Sequence, residues 1–513
     1  MALPWLALNS VASFLPFFVS GLLLLLLRRV NQRKSNNHHQ LPPGPPPLPV
    51  IGNLHQLGPL PHQSLWRLSR VYGPVLLVHL GRVPTVVLSS AKAAREVLKT
   101  HDLDTCSRPR LIGTGRLSYN YIDIAFAPYG DYWREMRKLC IVELFSAKRV
   151  DGSRFVREEE VEALLEQIGE SAASGSAVDL SKSLMGLSAA IVSRVAFGRS
   201  FRGLGAAEGN MLVHIVHEAL AMLGSFSASD FFPYFGWIID RFSGLHKRLE
   251  KNFHELDRFY QQIINDHLQD HKEERDEGDI VDLLLEMEKN RTQLGENNIF
   301  TRDHTKAILM DIFLAGVDTG SIIMEWTMTE LARNPRVMKK LQDEIRSCVG
   351  NKKAVTEDDL DQLQYLKLVL KESMRLHPPS VLLIPRETMR HFKLFGYDIP
   401  LGTRIQVNAW GIGRDPELWE DPEKFYPERF ENSPIDYKGQ HFELLIFGSG
   451  RRGCPGIYMG MVTVELAIAN LLHRFDWRLP DGMTREDMNM EEGAGLTVFK
   501  KVPLLLVPVE PCE

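Results

Sequence analysis

Phe447-Gly448-Ser449-Gly450-Arg451-Arg452-Gly453-Cys454-Pro455-Gly456 runs directly into the apolar, helix-like stretch Ile457-Tyr458-Met459-Gly460-Met461-Val462-Thr463-Val464-Glu465-Leu466-Ala467. A cysteine at the start of a helix faces backbone N–H groups that lack intrahelical partners and carry partial positive charge, which favours the thiolate. A thiolate is a metal ligand. Glycines at 448, 450, 453 and 456 permit backbone conformations closed to other residues and let the chain approach a flat group closely. Arg451 and Arg452 add donors suited to carboxylates. These residue types describe a loop that holds sulfur against something planar and acidic. The competing reading, a buried structural cysteine after a Gly-rich turn, is settled by the rest of the chain.

Phe447, Gly450, Arg452, Cys454 and Gly456 fill the pattern Phe-x-x-Gly-x-Arg-x-Cys-x-Gly, and in this the segment resembles the haem-binding loop of cytochromes P-450. In that family the cysteine thiolate is the axial ligand of the haem iron and the arginine binds a haem propionate. The resemblance therefore implies haem b (iron protoporphyrin IX) as cofactor, Cys454 as the metal ligand and Arg452 as a cofactor-binding residue. Ile446 stands where proline is usual in the family, and Gly453 where a branched apolar residue is frequent. Both positions are expected to alter packing around the haem.

Three further segments agree. Trp133 and Arg137 lie four apart in Asp131–Lys138, on one face of a helix, and resemble the family's Trp-x-x-x-Arg, whose indole N–H and guanidinium contact haem propionates. Lys306–Ser321 reads as a long apolar helix with polar residues at its middle. There Ala315-Gly316 removes bulk, and the Thr319 hydroxyl is able to bond back to the carbonyl of Ala315, opening a small polar notch. This resembles the family's Ala/Gly-Gly-x-Asp/Glu-Thr-Thr/Ser motif, which implies Asp318 and Thr319 as the catalytic pair that delivers protons during dioxygen activation; Gly320 departs from the usual Thr or Ser. Glu372 and Arg375, three apart, together with Pro427-Glu428-Arg429-Phe430, resemble a scaffold network behind the cysteine loop.

The N-terminus adds a location. Trp5 to Leu27 is mostly apolar, is uncharged, and as a helix spans about 34 Å at roughly 1.5 Å per residue, enough for a bilayer core of roughly 30 Å. Arg28, Arg29, Arg33 and Lys34 follow it, with no basic side chain ahead, so the following domain is expected on the cytosolic side. A cleaved signal peptide is the alternative; the length of the run, the absent basic n-region and the arginines where a cleavage site belongs argue against it. Leu41–Pro49 carries six prolines in nine residues and reads as a stiff hinge. The expected layout is an anchor over 1–28, a basic and proline-rich hinge over 29–53 and a catalytic domain over 54–513. The hinge resembles that of microsomal cytochromes P-450, which implies an endoplasmic reticulum membrane location, and the sequon Asn290-Arg291-Thr292 is expected to stay unmodified.

Composition is that of a globular chain, with 44% hydrophobic and 24% charged residues and a net charge of −5, so nucleic acid is not an expected partner. Five scattered cysteines, at 106, 140, 348, 454 and 512, fit a reducing compartment without a disulfide framework. The fold expected is mainly α with small β-sheets, the cytochrome P-450 fold, preceded by a transmembrane helix. Strand patterns occur at Val75–Leu80, Thr85–Ser89, Phe392–Phe395, Arg404–Trp410 and Thr497–Val507. Pro385-Arg386-Glu387 and Phe442-Glu443-Leu444-Leu445 further resemble the plant A-type microsomal branch.

The resemblance implies a haem-thiolate monooxygenase that oxidises a small to medium hydrophobic metabolite. No flavin- or nicotinamide-binding segment is evident, so electrons are expected from a separate NADPH–cytochrome P-450 reductase, docking on Arg134, Lys138, Lys148 and Arg149. By analogy the substrate pocket draws on Leu111–Ile122, Met310–Val317, Val381–Ile384 and Leu496-Thr497. Two other classes share these motifs: a non-oxygenating haem-thiolate isomerase or dehydratase, which the intact Asp318 and Thr319 oppose, and a membrane-tethered haem- or ligand-binding protein without turnover.

Overall fold

A computed structural model of the chain describes residues 40–200, 206–269, 278–293 and 300–511. The expected membrane helix, and with it the anchor over 1–28, lies outside the described residues.

The body is organised around one helix, Arg302–Arg333, of 32 residues. At about 1.5 Å per residue it runs roughly 48 Å, through the middle of the molecule. It is apolar enough to pass for a membrane span, yet 72% of its most hydrophobic window is buried inside the protein. An apolar helix buried on all sides is what a large soluble core requires. Helix Leu180–Phe197 packs along it, aided by Gly316, where an added Cβ would come within 2.8 Å of the Val192 side chain. The helix that follows the cysteine loop, Ile457–Arg474, and helix Gln364–Leu376 cover its other sides, sharing a core with Met324, Met328 and Leu331. A second core joins Phe313, Leu314 and Val317 of the central helix to helices Ala206–Leu223 and Leu245–Gln269.

The β-structure is small and peripheral. Strands Val75–Leu80 and Val83–Leu88 pair antiparallel; the second runs parallel to Arg404–Val407, which pairs in turn with Arg386–Glu387. The hairpin turn is shorter than its sequence suggests: Leu80 faces Val83 across Gly81-Arg82, with Gly81 at φ 60°. Pro84 is tolerated inside the strand because it precedes the parallel pairing, which begins at Thr85. The expected strand through Trp410 stops at Val407, because the Asn408 side chain accepts a bond from Gly411 N–H at 2.9 Å and caps a short helix over Ala409–Ile412. Thr497–Val507 is likewise broken into Phe499–Lys500 and Leu505–Val509.

The proline-rich segment is docked, not free. Pro43 C=O accepts from Leu77 N–H at 2.9 Å, and a Cβ on Gly44 would sit 1.9 Å from the Leu77 carbonyl oxygen, so only glycine fits there. This segment is thereby fastened to the first strand.

Candidate functional site: a thiol cavity walled by unpaired guanidiniums

Cys454 lies just ahead of helix Ile457–Arg474, as its sequence position predicts. Its N–H donates to Phe447 C=O at 2.8 Å, which closes the loop on itself. Two of the four loop glycines are conformationally required: Gly448 and Gly450, at φ 66° and 69°. Gly450 is also pressed against the Leu98 carbonyl oxygen, 2.6 Å from where a Cβ would stand. Gly453 and Gly456 have negative φ, so the freedom expected of all four applies to two.

The Cys454 thiol opens onto an internal cavity of about 690 Å³. Enclosure by the surrounding protein pushes its pKa up, while Gly456 N–H and the Arg137 charge pull it down. Coordination of a cation would favour the thiolate.

On one wall of this cavity stand Arg108, Arg137 and Arg452. Arg452 donates to the carbonyls of Cys106 (2.8 Å) and Ala127 (2.7 Å), Arg108 to those of Ala125 (3.0 Å), Ile384 (2.6 Å) and Pro385 (2.9 Å), and Arg137 to Gly453 C=O. Among the described residues none of the three has a carboxylate partner. Burial and the mutual repulsion of these cations bring Arg452 down to about 9 and hold Arg108 well below its ordinary value. Arg386, beside them, adds to that repulsion although it pairs at 2.7 Å with Asp102, a carboxylate it shares with Arg451. Buried cations without anions are costly, and a planar ligand carrying two carboxylates supplies the missing charge. A thiol facing the same cavity completes the set of donors that haem requires, so the residues present fit that group.

Trp133 does not line the cavity. Its N–H donates to Ile124 C=O at 2.9 Å, and its ring lies under the Arg452 guanidinium, 4.0 Å from the centroid. The indole thus supports Arg452 from behind. Arg108 and Arg386 were absent from the sequence-based set. Their signal in the chain was the pairing of each with proline, Arg108-Pro109 and Pro385-Arg386, in extended segments whose guanidiniums turn inward.

Across the cavity, the Thr319 hydroxyl donates to Ala315 C=O at 2.8 Å, the back-bond expected from the sequence. Asp318 is buried, accepts from the Thr497 hydroxyl, and is raised by burial to about 6. Cys454, Thr319, Asp318, Arg137 and Arg452 therefore share one cavity, whose remaining wall is mainly apolar and includes Phe126, Leu314, Leu383, Ile384 and Leu496. The expected contribution from Leu111–Ile122 is corrected: lining on that side begins at Ile124. Residues Ile112–Leu117 form a helix instead, with Gly113 close against the Met222 carbonyl.

A family model described as cytochrome P-450 matches residues 42–506. The chain belongs to the cytochrome P-450 family. Cytochrome P-450 71B34 of Arabidopsis thaliana is 56% identical over 462 residues, covering 90% of this chain and 92% of the relative; cytochrome P-450 71B35 of the same plant is 55% identical over 460 residues, covering 90% and 91%. These relatives place the chain in the plant A-type branch. Among solved structures, a zebrafish cytochrome P-450 determined with progesterone superposes with a TM-score of 0.74 at 26% identity, covering 88% of this chain and 99% of that one. The chain is thus a P-450 monooxygenase with haem b as its cofactor and the mainly helical P-450 fold.

Proposed function

We propose that this P-450 oxidises a small to medium hydrophobic metabolite, using O2 and electrons from a separate NADPH–cytochrome P-450 reductase. One observation carries the reading: the Cys454 thiol and the Thr319 notch open onto a single, largely apolar cavity beside two buried guanidiniums, Arg108 and Arg452, and the half-buried Arg137, none of which has a carboxylate partner among the described residues. Haem, when bound, supplies the oxidising chemistry, with thiolate ligation favouring O–O cleavage. The protein's own contributions divide among named residues. Cys454 is the metal ligand. Arg137 and Arg452 receive the propionates, with Trp133 bracing Arg452. Asp318 and Thr319 hold and move protons at the notch.

Surface features support the partner and the location. Arg134, Lys138 and Lys148 are exposed and offer a basic face to an acidic reductase surface, whereas the Arg149 guanidinium turns inward to Gly278 C=O at 3.2 Å and drops out of that patch. A membrane contact is supported by exposed apolar side chains near the anchor's exit: Leu48, Val50 and Ile51 on the hinge, and Tyr234, Trp237 and Phe242 around helix Gly236–Phe242. The two groups are stitched together through Gly81 N–H to Ile51 C=O (3.2 Å) and Arg82 N–H to Phe231 C=O (3.0 Å). With residues 1–28 as anchor and 29–53 as hinge, this face meets the endoplasmic reticulum bilayer while the domain over 54–513 stays cytosolic.

Reconstitution with reductase, NADPH and a panel of hydrophobic plant metabolites tests the proposal. The expected result is NADPH- and O2-dependent oxygenated product from at least one compound class. Product formed without NADPH or O2, or NADPH consumption unchanged across every compound, contradicts it.

A further inference from the structure

Asp318 and Thr319 are neighbours in sequence, but adjacent helical positions point about 100° apart. Thr319 faces the open cavity with its hydroxyl proton given to Ala315. Asp318, which also borders the cavity, points instead to the C-terminal loop, with its carboxylate accepting from Thr497, which is itself buried. Among the described residues no other side chain donates to that carboxylate. Thr497 sits on the C-terminal loop beside Leu496, and both line the cavity. The loop is held from two sides: Val498 N–H donates to Pro379 C=O at 2.8 Å, and the Leu496 backbone nitrogen lies 2.4 Å from where a Cβ on Gly224 would stand.

We propose that Thr497 is a positioning residue for Asp318, holding the acid against the C-terminal loop and away from the Thr319 notch until that loop shifts. Because Leu496 belongs to the cavity wall, a substrate that presses on the loop loosens the Thr497 contact and frees Asp318 to turn toward the notch. Proton supply is thereby tied to occupancy of the cavity. The assignment rests on the haem-thiolate reading above. Of the charged groups on this side, Glu325, two turns further along the same helix, interacts with Asp318; Glu325 in turn faces Lys500, on the strand after Thr497, and Asp179, at the start of helix Leu180–Phe197. Burial raises the Asp318 carboxyl, and the Thr497 hydroxyl opposes that rise.

The test uses the holoenzyme and its Thr497→Val, Thr497→Ala and Thr497→Ser variants. Difference infrared spectroscopy follows the Asp318 carboxyl, identified by its loss in Asp318→Asn. A donor to a carboxylate stabilises the charged form, so its removal is expected to move the Asp318 titration up by roughly one pH unit or more in Thr497→Val and Thr497→Ala, with Thr497→Ser close to wild type. In parallel, the share of NADPH electrons lost as hydrogen peroxide should rise severalfold without substrate in the Val and Ala variants and return to normal in the Ser variant. An unmoved Asp318 titration in a variant that keeps its thiolate-type CO spectrum overturns the Thr497 assignment alone. Absence of that spectrum in the wild-type protein overturns the haem-thiolate reading on which it rests.

Discussion

The Arg137 guanidinium reaches from helix Asp131–Leu139 to the carbonyl of Gly453, the residue immediately before Cys454. One side chain thus fixes the backbone of the cysteine loop while placing its charge at the cavity wall. Arg137→Ala removes a charged hydrogen bond worth about 1.5–3 kcal/mol and leaves the Gly453 carbonyl unpaired. Haem retention is expected to weaken by about ten- to a hundred-fold, with Arg137→Lys intermediate. Haem content per polypeptide, read from absorbance after gel filtration, checks this.

Behind the loop, Glu372 accepts from Arg375 at 2.7 and 2.8 Å, from Arg429 at 2.9 Å and from Tyr426 N–H at 2.8 Å, with Glu372 and Arg375 fully buried. Arg375 also donates to the carbonyls of Gly413 and Pro422. Glu372→Gln leaves two buried guanidiniums short of an anion and is expected to cost about 3–5 kcal/mol. A denaturant midpoint within error of wild type would contradict this account of the network.

Gly450 combines φ 69° with a carbonyl oxygen 2.6 Å from any added Cβ. The conformation alone costs alanine about 1–2 kcal/mol, and the clash with Leu98 adds to it. Gly450→Ala should lower both stability and haem incorporation, whereas Gly453→Ala, at φ −56° with its nearest contact at 3.3 Å, should lower them far less. Parallel thermal melts of the two variants separate the cases.

Asp318 carries a pH signature. Burial raises its carboxyl from 3.8 to about 6, so the fold disfavours the carboxylate. The sign follows: stability is fullest below the unfolded value and is lost as pH rises toward 6, with a penalty of at most about 3 kcal/mol above that. Asp318→Asn removes the penalty. It is expected to stabilise the protein at pH 8, with a gain larger by roughly 1.4 kcal/mol than at pH 5, while turnover falls. Denaturant titrations at the two pH values measure the difference.

Much of this was legible from local spacing. The helix start beside Cys454, the Thr319 back-bond to Ala315 and the Glu372–Arg375 pair follow from residue types at short offsets, and the reach of Arg429 to Glu372 follows from the family resemblance of Pro427–Phe430. What was not legible depends on contacts between segments far apart in the chain. Arg108 meets Ile384 across 276 positions, and Asp318 meets Thr497 across 179, with no periodic pattern announcing either. Asn408 misled in the opposite direction: its cap on Ala409–Ile412 overrides the apolar alternation that reads as a longer strand.

The central claim is that Cys454 is the thiolate ligand of a haem held in the guanidinium-walled cavity. The most direct measurement is the reduced, CO-bound difference spectrum of the wild-type holoprotein and of Cys454→Ser. The wild type is expected to give the thiolate-type band and the variant to lose it; a variant that retains the band would contradict the assignment.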